Sequence, residues 1–117
     1  MKKVMLIEDD PTMISLLGTL LEMEGYQVIK MQKFGSVLDD IEREMPDAIL
    51  MDVHLNDLDG LDFLAEMRKK ESIKDIVVIM SSGIDKRHQS MQAGANDFLL
   101  KPYMPDELIQ KINFHIE

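Results

Sequence analysis

Four short apolar runs, separated by longer segments of mixed character, organise this chain. They cover residues 4–7, 48–51, 76–80 and 98–100, and a fifth segment, 26–31, has strand character of its own. Short apolar runs rich in Val, Ile and Leu are typical of parallel strands that are buried on both faces. Parallel strands need long crossover connections, which are usually helices. The pattern therefore predicts an α/β fold with five parallel strands.

The connecting segments carry helical periodicity, and the first of them carries it most clearly. Asp10 and Pro11 fit an N-terminal cap and first turn there, and Gly25 fits a C-terminal stop. Further helices are predicted over about 35–44, 60–70 and 86–93, and after Pro105. Five helices can then cover both faces of the sheet through right-handed crossovers. The apolar stripe predicted for the first helix consists of Met13, Leu16, Leu17, Leu20 and Leu21.

Reactive side chains stand where the predicted strands end. The acids Glu8 to Asp10 follow the first strand, Asp52 follows the third, Ser82 the fourth and Lys101 the fifth. In an open α/β sheet, ligands bind at the edge formed by the carboxyl ends of the strands. Acids, a hydroxyl and an ammonium are therefore expected to converge at this edge. Such a set suits a divalent cation and a phosphoryl group.

The three consecutive acids cannot all enter one pocket, because neighbouring side chains on an extended backbone point to opposite sides. Asp10 directly precedes Pro11, so it is interpreted as a helix cap. Asp9 is assigned to the metal, and Glu8 beside it is expected to act through a bound water. For the hydroxyl, Ser81 competes with Ser82, but strand alternation points it the other way.

These motifs, in this order, resemble the receiver domain of two-component response regulators over essentially all 117 residues. The resemblance implies one receiver domain, 1–117, with the flavodoxin-like fold of the chemotaxis regulators. That fold is a three-layer sandwich around a five-stranded parallel sheet of order 2-1-3-4-5. It also implies a cis bond before Pro102. The motifs are Glu8-Asp9, Asp52, Asp59-Gly60, Ser82, Gly94 to Phe98, and Lys101-Pro102.

The resemblance implies a phosphorylation chemistry for the predicted site. Asp52 would accept a phosphoryl group from a histidine kinase or phosphotransfer protein, and Ser82 and Lys101 would bind that group. The expected cofactor is Mg²⁺, for which Mn²⁺ could substitute, held by Asp9, Asp52 and the backbone carbonyl of His54. A domain of this kind is not an enzyme in the ordinary sense, although it catalyses its own phosphorylation and dephosphorylation.

The output implied by the resemblance is a change of conformation. Ser82 and the aromatic Phe98 would be the switch residues, and a downstream protein would bind the face made by the fourth helix, the fifth strand and the fifth helix. Two alternatives stay open. The chain could be a relay intermediate that passes the group to a phosphotransfer histidine, or a pseudo-receiver that only binds partners. It could also be part of a longer regulator.

The chain departs from the family pattern in three places. Asn56 stands where proline is usual, which predicts a looser loop, and Gly83 stands where alanine is commoner. Ser82 and Lys101 are 19 positions apart, about one helical turn less than the pattern. The missing turn falls in the fourth helix, so the departure affects the expected partner surface and leaves the pocket complete.

Composition narrows the expected surroundings. The chain has 22 acidic and 13 basic residues and a net charge of -9, so it should repel nucleic acids. It has no cysteine, which fits the cytoplasm, the expected location. The longest aliphatic run, 76–80, is far shorter than the roughly 20 residues of a membrane span. No membrane insertion is therefore expected.

Overall fold

The computed structural model describes all 117 residues, in which strands and helices alternate along the chain. The predicted strands and helices are all present, with bounds within two residues of the prediction. The elements are β1 Lys3–Ile7, α1 Pro11–Met23, β2 Gln27–Met31, α2 Val37–Glu44, β3 Ala48–Asp52, β4 His54–Leu55, β5 Leu58–Asp59, α3 Gly60–Arg68, β6 Val77–Ser82, α4 Arg87–Ala93, β7 Asp97–Leu100 and α5 Pro105–Ile116.

The main sheet has five parallel strands in the order β2-β1-β3-β6-β7. The two additional strands, β4 and β5, form a separate antiparallel hairpin after β3. Counted without this hairpin, the order is 2-1-3-4-5, and the prediction is confirmed. In the strand register Ile7 is beside Met51 and Asp52 is beside Ser81, so the carboxyl ends of the central strands lie level.

Two apolar cores lie on opposite faces of the sheet. Alternate residues of each strand enter one core or the other, as Ile7 and Leu6 of β1 do. Leu64 of α3 packs in the first core, together with residues of α2, and Leu108 of α5 packs in the second, together with residues of α1. Helices therefore cover both faces, which confirms the flavodoxin-like three-layer sandwich.

Helix α1 corrects the predicted apolar stripe. Its buried residues are Ile14, Leu17, Gly18 and Leu21, whereas Leu16 is 50% exposed. Gly18 lies against the sheet edge, since a Cβ there would stand 2.6 Å from Cε of Lys30 in β2. The helix therefore faces the sheet along a line that passes through a glycine, which a search for large apolar residues does not detect. Its C-terminal end is as predicted, because Gly25 follows with a φ of 95°.

Two further expectations concern the peptide bond before Pro102 and the membrane. The peptide bond between Lys101 and Pro102 is cis, as the resemblance implied. None of the helices combines the length and the apolar character that crossing a bilayer requires.

Candidate phosphoryl and metal site

The candidate site lies at the carboxyl edge of the central strands. Glu8 directly follows β1 and is 3% exposed, and Asp52 ends β3 and is 6% exposed. Because β1 and β3 are neighbours in register, the two buried carboxylates stand side by side. Lys101 follows β7 and reaches them from the far side of β6.

Lys101 bridges the two buried carboxylates. Its Nζ donates to Oε1 of Glu8 at 2.6 Å and to Oδ2 of Asp52 at 2.7 Å. Burial by itself favours the neutral amine, but the hydrogen bonds to Asp52 and Glu8 outweigh it and raise the pKa of Lys101. The ammonium therefore stays charged and compensates the negative charge of the acids.

One ammonium does not neutralise this pocket. Burial, followed by the hydrogen bond and charge of Asp52, raises the pKa of Glu8 from 4.5 to about 7, although Lys101 acts in the opposite direction. The negative charges of Glu8 and Asp52 therefore repel each other when both groups are ionised. A divalent cation beside them would reduce this repulsion.

Asp9 completes a group of acids that fits a metal ion. Carboxylate oxygens of Glu8, Asp9 and Asp52 all lie within 4.8 Å of one another. The backbone amide of Asp9 donates to Oε2 of Glu8 at 3.0 Å, which holds the Glu8 carboxylate against the backbone at Asp9. Oxygen ligands with excess negative charge are what Mg²⁺ prefers. The residues present therefore fit the predicted ion.

Asp10 stays outside this group. Its carboxylate accepts hydrogen bonds from the amides of Thr12, at 2.9 Å, and Met13, at 3.3 Å. Pro11 occupies the first turn of α1. The predicted helix cap is confirmed, and of the three consecutive acids only two belong to the pocket.

The hairpin after β3 is tied to the acids. The amide of His54 donates to Oδ1 of Asp52 at 3.2 Å, and the amide of Asn56 donates to Oδ2 of Asp9 at 3.1 Å. Asn56 has a φ of 55°, a value that proline cannot adopt and asparagine tolerates. This backbone conformation gives a physical reason why asparagine stands here in place of the usual proline. The predicted metal role of the His54 carbonyl stays a prediction.

Gly60, the first residue of α3, packs directly on the backbone of the predicted acceptor. A Cβ at this position would stand 2.2 Å from the carbonyl oxygen of Asp52. The amide of Gly60 donates to the carbonyl of Val53 at 2.7 Å, and Asp59 caps the helix through the amide of Leu61 at 2.8 Å. The Asp-Gly pair therefore starts α3 in a space that admits no side chain.

Ser82 and Ser81 end β6 and are both buried. The hydroxyl of Ser82 accepts a hydrogen bond from the amide of Ile84 at 3.1 Å and makes none to Asp52 in this state. The carbonyl of Ser81 accepts from the amide of Val53 at 2.8 Å, which links the ends of β6 and β3. The choice of Ser82 as the phosphoryl-binding hydroxyl stays a prediction.

Phe98 is 1% exposed and packs in the core that contains Met80 and Leu64. The guanidinium carbon of Arg87 lies 5.6 Å from the centre of its ring. Sequence reasoning did not identify Arg87, because nothing in the local pattern of a short polar helix indicates which ring its side chain reaches. The contact joins the first turn of α4 to the predicted aromatic switch residue.

The segment that leads into β7 anchors the other end of α4. Arg68 of α3 donates from Nε to the carbonyl of Gly94 at 2.8 Å and from Nη2 to Oδ1 of Asn96 at 3.0 Å. That same oxygen accepts the amide of Val78 at 2.8 Å. This explains the asparagine of the Gly94–Phe98 motif, whereas Arg68 was not predicted.

Comparison with known proteins identifies the family. A family model described as the response regulator receiver domain matches residues 4–113. The transcriptional regulatory protein YxdJ of Bacillus subtilis is 32% identical over 116 residues, which are 99% of this chain and 51% of that protein. The phosphate regulon transcriptional regulatory protein PhoB of Escherichia coli is 25% identical over 114 residues, which are 95% of this chain and 50% of that protein. The chain thus spans about half the length of these curated relatives.

Solved structures agree with the family model. A response regulator from Chloroflexus aurantiacus superposes with a TM-score of 0.90 at 28% identity, covering 98% of this chain and 97% of that one. The receiver domain of the sensor histidine kinase PA1611 from Pseudomonas aeruginosa, with a magnesium ion in its active-site cleft, gives 0.86 at 30% identity and the same coverage. With the fold, the acidic site and the family match in agreement, the chain belongs to the response regulator receiver domains.

Proposed function

We propose that this receiver domain accepts a phosphoryl group on Asp52, in a Mg²⁺-dependent reaction, from the phosphohistidine of a histidine kinase or phosphotransfer protein. The observation that carries the proposal is the contact of one ammonium, that of Lys101, with the two buried carboxylates of Glu8 and Asp52. Asp9 lies beside them within the span of one metal site. The proposed setting is the cytoplasm, where histidine kinases donate phosphoryl groups.

The contacts of Asp52 prepare it to attack. Its Oδ1 is held by the amide of His54 and its Oδ2 by Lys101, so the carboxylate plane is fixed before a donor arrives. In the transfer, an Asp52 oxygen forms a bond to phosphorus while the bond to the histidine nitrogen breaks. Bound Mg²⁺ supplies the charge neutralisation that lets two anions meet. Asp9, Asp52 and the His54 carbonyl would hold it directly, and Glu8 would hold it through a bound water.

Lys101 and Ser82 would then serve the phosphoryl group itself. The ammonium already touches the acceptor, and a phosphoryl group on Asp52 would offer it new oxygens for charge-assisted bonds. Ser82 ends the strand beside β3 and brings a buried hydroxyl to the same edge. Its movement toward the phosphoryl oxygens, followed by Phe98, would alter the face formed by α4, β7 and α5 and so the affinity for a downstream protein. The same groups would support later hydrolysis.

The metal assignment predicts that Asp9→Asn and Asp10→Asn differ. Asp9→Asn removes one charge from the acid group, so Mg²⁺ should bind about tenfold or more weakly and phosphorylation by acetyl phosphate should slow with it. Asp10→Asn keeps a capping oxygen on Thr12 and Met13 and should change neither. Calorimetric titration with Mg²⁺ measures the first effect. The reverse order of the two variants would exchange their roles.

The switch predicts a local response to a phosphoryl mimic. Helix α4 has only seven residues, so few backbone hydrogen bonds hold it. Amides from 83 to 98 should therefore exchange faster than the rest of the domain, and beryllofluoride with Mg²⁺ should slow them. Hydrogen exchange followed by mass spectrometry reads both effects. Strong protection that the mimic leaves unchanged would favour a rigid pseudo-receiver.

A further inference from the structure

Helix α4 is held firmly at one end only. At its C-terminus, Gly94 has a φ of 109° and its carbonyl accepts from Nε of Arg68 at 2.8 Å. At its N-terminus, Lys86 makes no capping bond through its side chain. The exposed Asp85 accepts the amide of Arg87 at 3.0 Å, a bond that joins the preceding loop to the first residue of α4 and does not attach the helix to the sheet. A displacement of α4 would therefore open at its first turn and pivot about Gly94.

Arg87 is the side chain that ties this first turn to the interior. Its guanidinium covers the ring of Phe98, with 5.6 Å between the guanidinium carbon and the ring centre. An arginine over an aromatic face is attracted by the ring quadrupole. The contact therefore stabilises the arrangement in which α4 lies on β7 and Phe98 keeps its present place.

Ser90, one turn further along, acts against this arrangement. It is the one fully buried residue of α4, and its hydroxyl has no hydrogen-bond partner. A buried hydroxyl without a partner is destabilising, because folding removes its hydrogen bonds to water and replaces them with none. If α4 moves away from the sheet, water can reach this hydroxyl again.

We infer that Arg87 and Ser90 are positioning residues of the switch that bias α4 in opposite directions. Arg87 holds α4 against β7 through its contact with Phe98, and the unpaired hydroxyl of Ser90 favours the release of the helix. The inference rests on the proposed function, since it assumes that a phosphoryl group on Asp52 draws Ser82 and Phe98 into a second state. The two residues would set the free-energy difference between the two states of α4, which binding of the phosphoryl group has to overcome.

The inference predicts opposite shifts in the affinity for beryllofluoride at saturating Mg²⁺. Arg87→Ala removes the contact that holds the first state, so the mimic should bind about two- to fivefold more tightly. Loss of a positive charge would by itself weaken the binding of an anion, so the sign separates the two explanations. Ser90→Ala removes the unpaired hydroxyl from the first state, so the mimic should bind about fivefold more weakly.

The matched control is Lys86→Ala, which removes the same charge one position earlier without touching the ring. It should leave the affinity unchanged or slightly lower. Thermal unfolding without the mimic gives a second readout, in which Ser90→Ala should raise the midpoint and Arg87→Ala should lower it. Calorimetry or fluorine NMR of the mimic measures the affinities.

The outcomes distinguish the inference from the function on which it rests. If the parent protein does not bind the mimic, the proposed function itself fails. If the parent binds it and the two variants shift the unfolding midpoint but not the affinity, Arg87 and Ser90 are structural only, and the inference is overturned. Shifts of equal sign in the two variants would overturn it as well.

Discussion

Replacing Asp52 with asparagine should abolish covalent phosphorylation of this protein. With acetyl phosphate or phosphoramidate and Mg²⁺, we expect the parent to gain one phosphoryl group by intact mass and Asp52→Asn to gain none. Glu8 shares the burial, the neighbouring acids and the ammonium of Lys101 with Asp52, which lies 2.7 Å from that ammonium. Only Asp52 also ends the strand that pairs with β6, which brings the serine hydroxyls to the same edge. An amide keeps the shape of the side chain but is not a nucleophile toward phosphorus.

Asp57→Asn is the matched control for this prediction. Asp57 lies in the exposed turn of the β4–β5 hairpin, so its carboxylate has neither the burial nor the ammonium partner of Asp52. This variant should be labelled to the same extent as the parent. Labelling of Asp52→Asn at the level of the parent would show that the acceptor lies elsewhere.

A methyl group added at Gly60 should be the most damaging small change in the domain. In Gly60→Ala the new Cβ would stand 2.2 Å from the carbonyl oxygen of Asp52, so one of the two backbones has to move. Overpacking of this kind typically costs 1–3 kcal/mol, and a backbone atom cannot move aside as a side chain can, so we expect a loss of about 3 kcal/mol. Phosphorylation should fall with it, because the displaced backbone carries the acceptor.

Gly35→Ala provides the control for the added methyl group. No heavy atom lies within 4 Å of a Cβ at Gly35, so this variant should change the free energy of unfolding by no more than about 0.5 kcal/mol. Urea unfolding measures both variants. An unfolding free energy of Gly60→Ala equal to that of the parent would mean that the start of α3 is free to move away from Asp52. In that case the close contact would not constrain the site.

The parts of the structure that the sequence predicted correctly are those that leave local signals. A buried parallel strand must be apolar on both faces, so β1, β3, β6 and β7 are visible as apolar runs. Asp10 before Pro11 also leaves a local signal, because capping depends only on the next three residues. Once the strands are placed, parallel topology brings Glu8, Asp52 and Lys101 to one edge.

Only the tertiary structure decided the contacts between segments that are distant in the chain. The sequence placed Lys101 near the acids but did not indicate that its ammonium bridges Glu8 and Asp52. It also placed Leu16 on the buried face of α1, which in fact passes through Gly18. The position of Arg87 over Phe98 is likewise set by how α4 lies on β7. Such contacts depend on the distance and angle between packed elements, and the periodicity of one segment carries no information about either.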